Sequence, residues 1–163
     1  MKFLLCGVPA SGKSSFARYL AQSKDYLHID AENKWPDEKL HKTWDAIFND
    51  LSAIDLFVEQ AGDKVVFDWG FPPNPTAIGM ICSLKSRGYL PVWFECPADI
   101  ARDRYIKRGG LDVRYFDIQM AKIKNNRENI RELIDPIVIN VLSKSSQKSD
   151  GDIFEEIIQS SDS

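Results

Sequence analysis

Short apolar runs alternate along this chain with longer stretches in which apolar residues recur every three or four positions. The runs cover 2–6 (KFLLC), 26–29 (YLHI), 64–68 (KVVFD), 89–95 (YLPVWFE) and 137–142 (IVINVL). Their brevity and near-continuous apolar character predict strands buried on both faces. The intervening periodicity predicts helices over 13–23, with Phe16, Ala17 and Leu20 on one face, and over 36–60, opened by Pro36 and carrying Leu40, Trp44, Ile47, Phe48, Leu51 and Ile54. Further helices are predicted over 76–87 (stopped by Gly88), 98–107 (ending at Gly109-Gly110), 114–134 (ended by Pro136) and 152–159. The three prolines in "FPPNP" exclude regular structure just after the third strand. Strands spaced by helices imply an α/β fold, a parallel sheet with helices on both faces and right-handed crossovers.

Composition narrows this picture. The chain has 163 residues, 44% of them hydrophobic, and no linker-like boundary, which suits one domain over 1–163 with a single core. A net charge of −3 argues against a dedicated nucleic-acid coat, though not against a local basic groove. Cys6, Cys82 and Cys96 have no metal-like spacing and read as core residues of a reducing compartment. The apolar run at the N-terminus is too short for a signal peptide or membrane span, so a cytoplasmic protein is expected. The polar stretch "SKSSQKSDG" (143–151) and the tail over 160–163 are expected to be mobile.

The first strand runs into Gly7-Val8-Pro9-Ala10-Ser11-Gly12-Lys13-Ser14, and the first helix leaves from it. This fits GxxxxGK(S/T) in the strand–loop–helix setting the motif requires. Glycines at both ends let the backbone curl, with Pro9 shaping the turn, so that successive N–H groups from Gly7, Ala10, Ser11 and Gly12 through Lys13, Ser14 and Ser15 surround one anion. The helix N-terminus adds its partial positive charge. Lys13 can reach the β- and γ-phosphates, and the Ser14 hydroxyl can ligate Mg²⁺.

Ligands of open α/β sheets sit at the carboxyl ends of the strands. The second strand ends in "HIDAEN", giving Asp30 and Glu32, and the third in "VVFDWG", giving Asp68. A nucleotide hydrolase needs one such acid near its metal; a phosphotransferase also needs a group to orient the acceptor hydroxyl. Glu32 is assigned as acceptor base and Asp30 as a group near the metal, with the two roles interchangeable, and Asp68 joins the metal set. The competing reading is that Asp30 caps the following turn while Glu32 is solvated. His28 reads as a strand residue with a satisfied hydrogen bond and His41 as a surface residue; neither is given a role.

Charge is unevenly distributed. Nine Lys and Arg residues against four Asp and Glu between Arg102 and Arg131 leave that segment at +5 on a chain of net −3. Arg104 and Arg108 lie four apart, on one helical face beside Gly109-Gly110. Such a pair can clamp transferring phosphates, and a glycine-hinged lid over about 104–117 can close over the site and exclude water.

Taken together, the chain resembles the small P-loop kinases, a group that includes gluconate and shikimate kinase-like proteins and the 5′-kinase domain of polynucleotide kinase. The resemblance rests on "GVPASGKSSFARYL", on the acids following "YLHI", on "VVFD", and most specifically on "FECPADIARDRYIKRGG". It implies a three-layer fold with a five-stranded parallel sheet of order 2-3-1-4-5. It places Arg104 and Arg108 on the lid arginines, Glu32 on the acceptor-activating carboxylate, and an adenine-contacting loop at about 143–149. Two departures concern the acceptor. Trp35 stands where the polynucleotide pattern has Arg, and Glu32 where it has Asp. The acidic character of 30–63 also fits a neutral or cationic acceptor better than a nucleic-acid strand. The expectation is an ATP- and Mg²⁺-dependent kinase that phosphorylates a hydroxyl of a small molecule, a nucleotide or a polynucleotide 5′ end. The alternative is a nucleotide-binding hydrolase or regulatory module without an acceptor; the Asn-Lys-x-Asp motif expected of a guanine-nucleotide switch is absent.

Overall fold

The computed structural model describes residues 1–30, 62–70, 73–109, 112–143 and 146–161. The helix expected over 36–60 lies outside them, as do Glu32, Trp35 and Trp44. Five strands, β1 (Lys2–Gly7), β2 (Leu27–Asp30), β3 (Val65–Asp68), β4 (Tyr89–Glu95) and β5 (Ile137–Asn140), form one sheet in the order β2-β3-β1-β4-β5. All four pairings are parallel. Both the order and the polarity are those implied by the sequence.

The helices are α1 (Lys13–Ser23), α2 (Pro75–Ser86), α3 (Ala98–Arg108), α4 (Val113–Asn125), the single turn α5 (Arg127–Asn129) and α6 (Asp150–Ser161). They cover both sheet faces. On one, Phe3, Leu5, Val66, Val92 and Phe94 pack against Phe16, Ala17 and Leu20 of α1 and Ile153 and Ile157 of α6. On the other, Leu4, Cys6, Val65, Phe67 and Trp93 pack against Ala77, Ile78, Ile81 and Leu84 of α2 and against Ile123, Ile130 and Ile134. Alternation along each strand produces this division, because successive side chains leave opposite faces of the sheet. Local signals set the helix ends. Asn74 accepts from the Ala77 N–H at 2.9 Å and Pro75 opens α2. At the start of α6 the Ser149 hydroxyl accepts from the Asp152 N–H and donates to the Asp152 carboxylate.

Three local expectations need correction. The helix expected over 114–134 breaks at Asn126, and Ile130–Ile134 forms a π-helical turn ending at Asp135 with a positive φ of 48°. The segment after β5, expected to be mobile, contains a short antiparallel hairpin of β6 (Leu142–Ser143) and β7 (Ser146–Gln147). Helix α6 starts two residues earlier than expected and continues through Ser161, into the stretch read as a tail. No helix among the described residues is long and apolar enough to cross a membrane. All three cysteines are free.

Candidate functional site

The loop between β1 and α1 is shaped by two glycines. Gly7 has φ 128°, and a Cβ there would lie 2.4 Å from the Phe94 carbonyl oxygen. Only glycine allows β1 to turn this close to β4, where the Val8 N–H donates to Phe94 O at 3.0 Å. Gly12, at φ 105°, is the N-cap of α1; no side chain caps the helix, and its first turn carries no acid. The N-terminal amides are therefore left for an anion. Pro9, Ala10 and Ser11 complete the curl, with Ala10 at a positive φ of 58°. Ser11 is fully buried and its Oγ has no hydrogen-bond partner among the described residues. Ser14 and Ser15 sit in the first turn of α1, half-buried and exposed respectively.

Lys13 is buried, and its Nζ donates to Val8 O at 3.0 Å and Gly7 O at 3.3 Å. The ammonium thus rests on the carbonyls of its own loop. The Cys6 thiol is pushed up to about 12 by burial, with the Lys13 charge opposing in the smaller part. It is a protonated core group that donates to Val92 O.

The strand-end acids come together through register. Asp30 pairs with Asp68 across β2 and β3. Leu27 and Ile29 pack on the α2 side, so His28 and Asp30 project from the α1 side. Asp68 has the parity of Val66, which packs with α1, and it is 3% exposed. Donor atoms of His28, Asp30 and Asp68 all lie within 4.8 Å of one another. His28 Nε2 is 3.7 Å from Asp68 Oδ2, beyond hydrogen-bonding range, and both atoms are buried without a hydrogen-bond partner among the described residues. The expectation of a satisfied hydrogen bond on His28 does not hold for this nitrogen. The sequence contained a signal that was passed over: His28 and Asp30 are two apart on one strand and so share a face.

Of the residues expected in a lid, Arg104 is half-buried in the middle of α3, and its charge acts on the Cys96 thiol just beyond β4. Burial dominates at Cys96 and raises it. Arg108 is the last, exposed residue of α3. Gly109, at φ 68°, terminates the helix. Arg102 bonds Asp117 at 3.1 Å and so ties α3 to α4 across the turn. The bond holds the Arg102 guanidinium above its ordinary value. Arg114 pairs with the N-cap carboxylate of Asp112, which it holds below the usual carboxylate range. Part of the basic segment is therefore neutralised locally. Gln147 of the β6–β7 hairpin places its Nε2 about 4.0 Å from where a Cβ on Gly12 would stand. The hairpin therefore overhangs the phosphate loop.

A cavity of about 700 Å³ lies on the α2 side of the sheet, lined by Trp93, Glu95, Arg127, Arg131 and Val138 among others. Three of its polar groups answer one another: Trp93 Nε1 donates to Glu95 Oε2, and Arg127 donates to Glu95 Oε1, each at 2.9 Å. The uncapped helix, and the polar atoms unpartnered among the described residues, favour the α1 side as the site of chemistry.

The sequence matches no family model and no curated protein. Solved structures do match across nearly the whole chain. A gluconokinase from Sinorhizobium meliloti 1021 superposes with a TM-score of 0.59 at 16% identity, covering 97% of this chain and 89% of that one. A shikimate kinase from Aquifex aeolicus gives 0.53 at 20% identity over 99% and 96%. A deoxyadenosine kinase from M. mycoides, solved with bound dATP, gives 0.58 at 13% identity over 100% of each chain. The fold is that of the small P-loop kinases.

Proposed function

We propose that the chain is an ATP-dependent phosphotransferase acting on a hydroxyl group. The observation that carries this reading is the convergence on one side of the sheet of an uncapped, glycine-shaped phosphate loop with Asp30 and Asp68, set side by side by the β2–β3 register. The structurally similar kinases, one of them solved with a nucleotide triphosphate, support it.

The residues also fit Mg²⁺. Asp68 is a buried carboxylate with an oxygen unpartnered among the described residues, and Ser14 offers a hydroxyl in the first turn of α1. Ser14, Asp30 and Asp68 would hold the ion, which supplies neutralisation of charge on the β- and γ-phosphates. The loop from Gly7 to Ser15 orients the phosphates through backbone amides. Lys13, which donates to Val8 O and Gly7 O, reaches the phosphates as a charge-assisted donor. Arg104 and Arg108 bear charge on the phosphoryl group in transfer. Glu32 orients the acceptor hydroxyl and takes its proton, with Asp30 able to exchange roles with it. Charge stabilisation of this kind is the main source of catalysis in phosphoryl transfer. The acceptor class extends from small polyols and sugar acids to nucleosides. A polynucleotide 5′ end is disfavoured by Trp35 and by the acidic 30–63 segment. A reducing, cytoplasmic setting fits the three free thiols.

The test is a transfer screen with γ-labelled ATP and Mg²⁺ against sugars, sugar acids, amino alcohols, nucleosides and 5′-hydroxyl oligonucleotides. One acceptor class should be labelled, and Glu32→Gln should cut its transfer by about 10²–10⁴-fold with ATP affinity retained. Rapid hydrolysis by water with no acceptor labelled would instead establish a nucleotide hydrolase.

A further inference from the structure

The phosphate loop and two strand-end acids leave the half-buried His28 ring, with its shielded Nε2, without a role. His28 lies one residue pair below Asp30 on β2, on the α1 side, and its Nε2 is directed at Asp68 Oδ2 across 3.7 Å. We propose that His28, Asp30 and Asp68 form a mixed nitrogen–oxygen centre that takes a borderline transition cation (Mn²⁺, Co²⁺ or Zn²⁺) more tightly than Mg²⁺.

Spacing is the first argument. Nitrogen and oxygen ligands bond such ions at roughly 2.0–2.2 Å, so donors around one ion stand roughly 3–4.2 Å apart. The three side chains offer donor atoms all within 4.8 Å of one another, and His28 Nε2 stands 3.7 Å from Asp68 Oδ2. The movement needed to close the set is less than about 1 Å, within reach of side-chain torsions. Burial is the second argument. Asp68 is 3% exposed, with Oδ2 shielded from solvent, and His28 Nε2 is equally shielded; neither makes a hydrogen bond among the described residues. A lone pair on each, facing the same point, is what a cation satisfies and a packed core does not. Charge is the third. Asp30 and Asp68 bring two carboxylates to one point, the charge complement of a divalent ion.

Identity of the ion follows from the nitrogen. Mg²⁺ prefers an all-oxygen octahedron and retains its waters, whereas imidazole favours the later first-row ions. A site made only from Asp30, Asp68 and Ser14 would have no such bias. The rival is a protonated His28 paired electrostatically with Asp68, which needs no metal and would be displaced by none.

This inference shares Asp30 and Asp68 with the proposed function, but binding can be read without turnover. The full chain, free of nucleotide, is titrated with Co²⁺ and followed by its visible ligand-field absorption, with Mg²⁺ as competitor. The expected result is one equivalent bound, poor displacement by Mg²⁺, and about tenfold or greater weakening in His28→Gln. A parallel titration with Zn²⁺ monitors the ring nitrogens of the wild-type histidines by ¹⁵N NMR. It decides the matter even if the variant does not fold, because coordination must shift Nε2 of His28. Unchanged Co²⁺ affinity in a folded His28→Gln, or an unmoved Nε2 resonance at saturating Zn²⁺, overturns the proposal. Failure of the transfer screen with Co²⁺ binding intact would remove the kinase reading and leave the metal centre standing.

Discussion

The two faces of this sheet are built alike for most of their depth and differ at the carboxyl ends of the strands. Both carry continuous apolar cores formed by strand alternation. On the α2 side the strands end in Trp69 and in the Trp93–Glu95–Arg127 network, where indole, carboxylate and guanidinium satisfy one another. On the α1 side they end in His28, Asp30 and Asp68, and buried polar atoms of His28, Asp68 and the loop residue Ser11 have no hydrogen-bond partner among the described residues. Buried polar atoms are nearly always paired, so an accumulation of unpaired ones marks a place prepared for a ligand. The satisfied network beside the 700 Å³ cavity marks structure instead.

Substitutions can break this contrast, starting with the geometry that creates it. Gly7→Ala forces a Cβ against the Phe94 backbone, 2.4 Å away, at a φ unsuited to alanine. Backbone cannot yield as a flexible side chain can, so a loss of about 3 kcal/mol in urea unfolding is expected. The next pair of substitutions has opposite signs. Glu95→Ala strands the Trp93 indole N–H and should cost about 1–2 kcal/mol. Asp68→Asn removes a buried carboxylate charge that no hydrogen bond to Oδ2 compensates, and should raise the stability of the ligand-free protein by about 1 kcal/mol. It should also abolish any thermal stabilisation by Mg²⁺·ATP. A fall in stability for Asp68→Asn would mean that the two strand ends are not different in kind.

The smallest expected effect lies away from both ends. Burial raises the Asp150 carboxyl above its ordinary value, with Arg18 opposing. The folded state thus holds this proton more tightly than the unfolded chain. Stability is full below the unfolded pKa and declines as pH rises through the higher folded value. Asp150→Asn should flatten that part of the profile, measured as thermal midpoint against pH from the acid side to neutrality.

The sheet was legible because its strands are short, apolar and punctuated by Gly and Pro; β4 and α1 have the bounds read from the sequence. The break at Asn126 was not. Phe116, Met120, Ile123, Ile130 and Ile134 keep helical spacing across it, and a π turn leaves Ile130 and Ile134 facing the core. The hairpin over the phosphate loop was hidden by a composition, SKSSQK, that resembles a linker. The loop and both described acids were visible as motif and as strand ends. The place of His28 was legible only in part: its spacing from Asp30 puts both on one face of β2, but its approach to Asp68 depends on a β2–β3 register that no local pattern encodes. Glu32, the expected acceptor base, lies outside the described residues.

The contrast between the two faces can be tested in one measurement: an NMR titration of the uniformly ¹⁵N-labelled chain with Mg²⁺·ATP. The expected result is large shifts of the amides from Gly7 to Ser15 and of Asp30 and Asp68, with the Trp93 indole resonance unmoved. Shifts concentrated on Trp93, Glu95 and Arg127 with the loop amides silent would place the nucleotide on the other face and contradict the account.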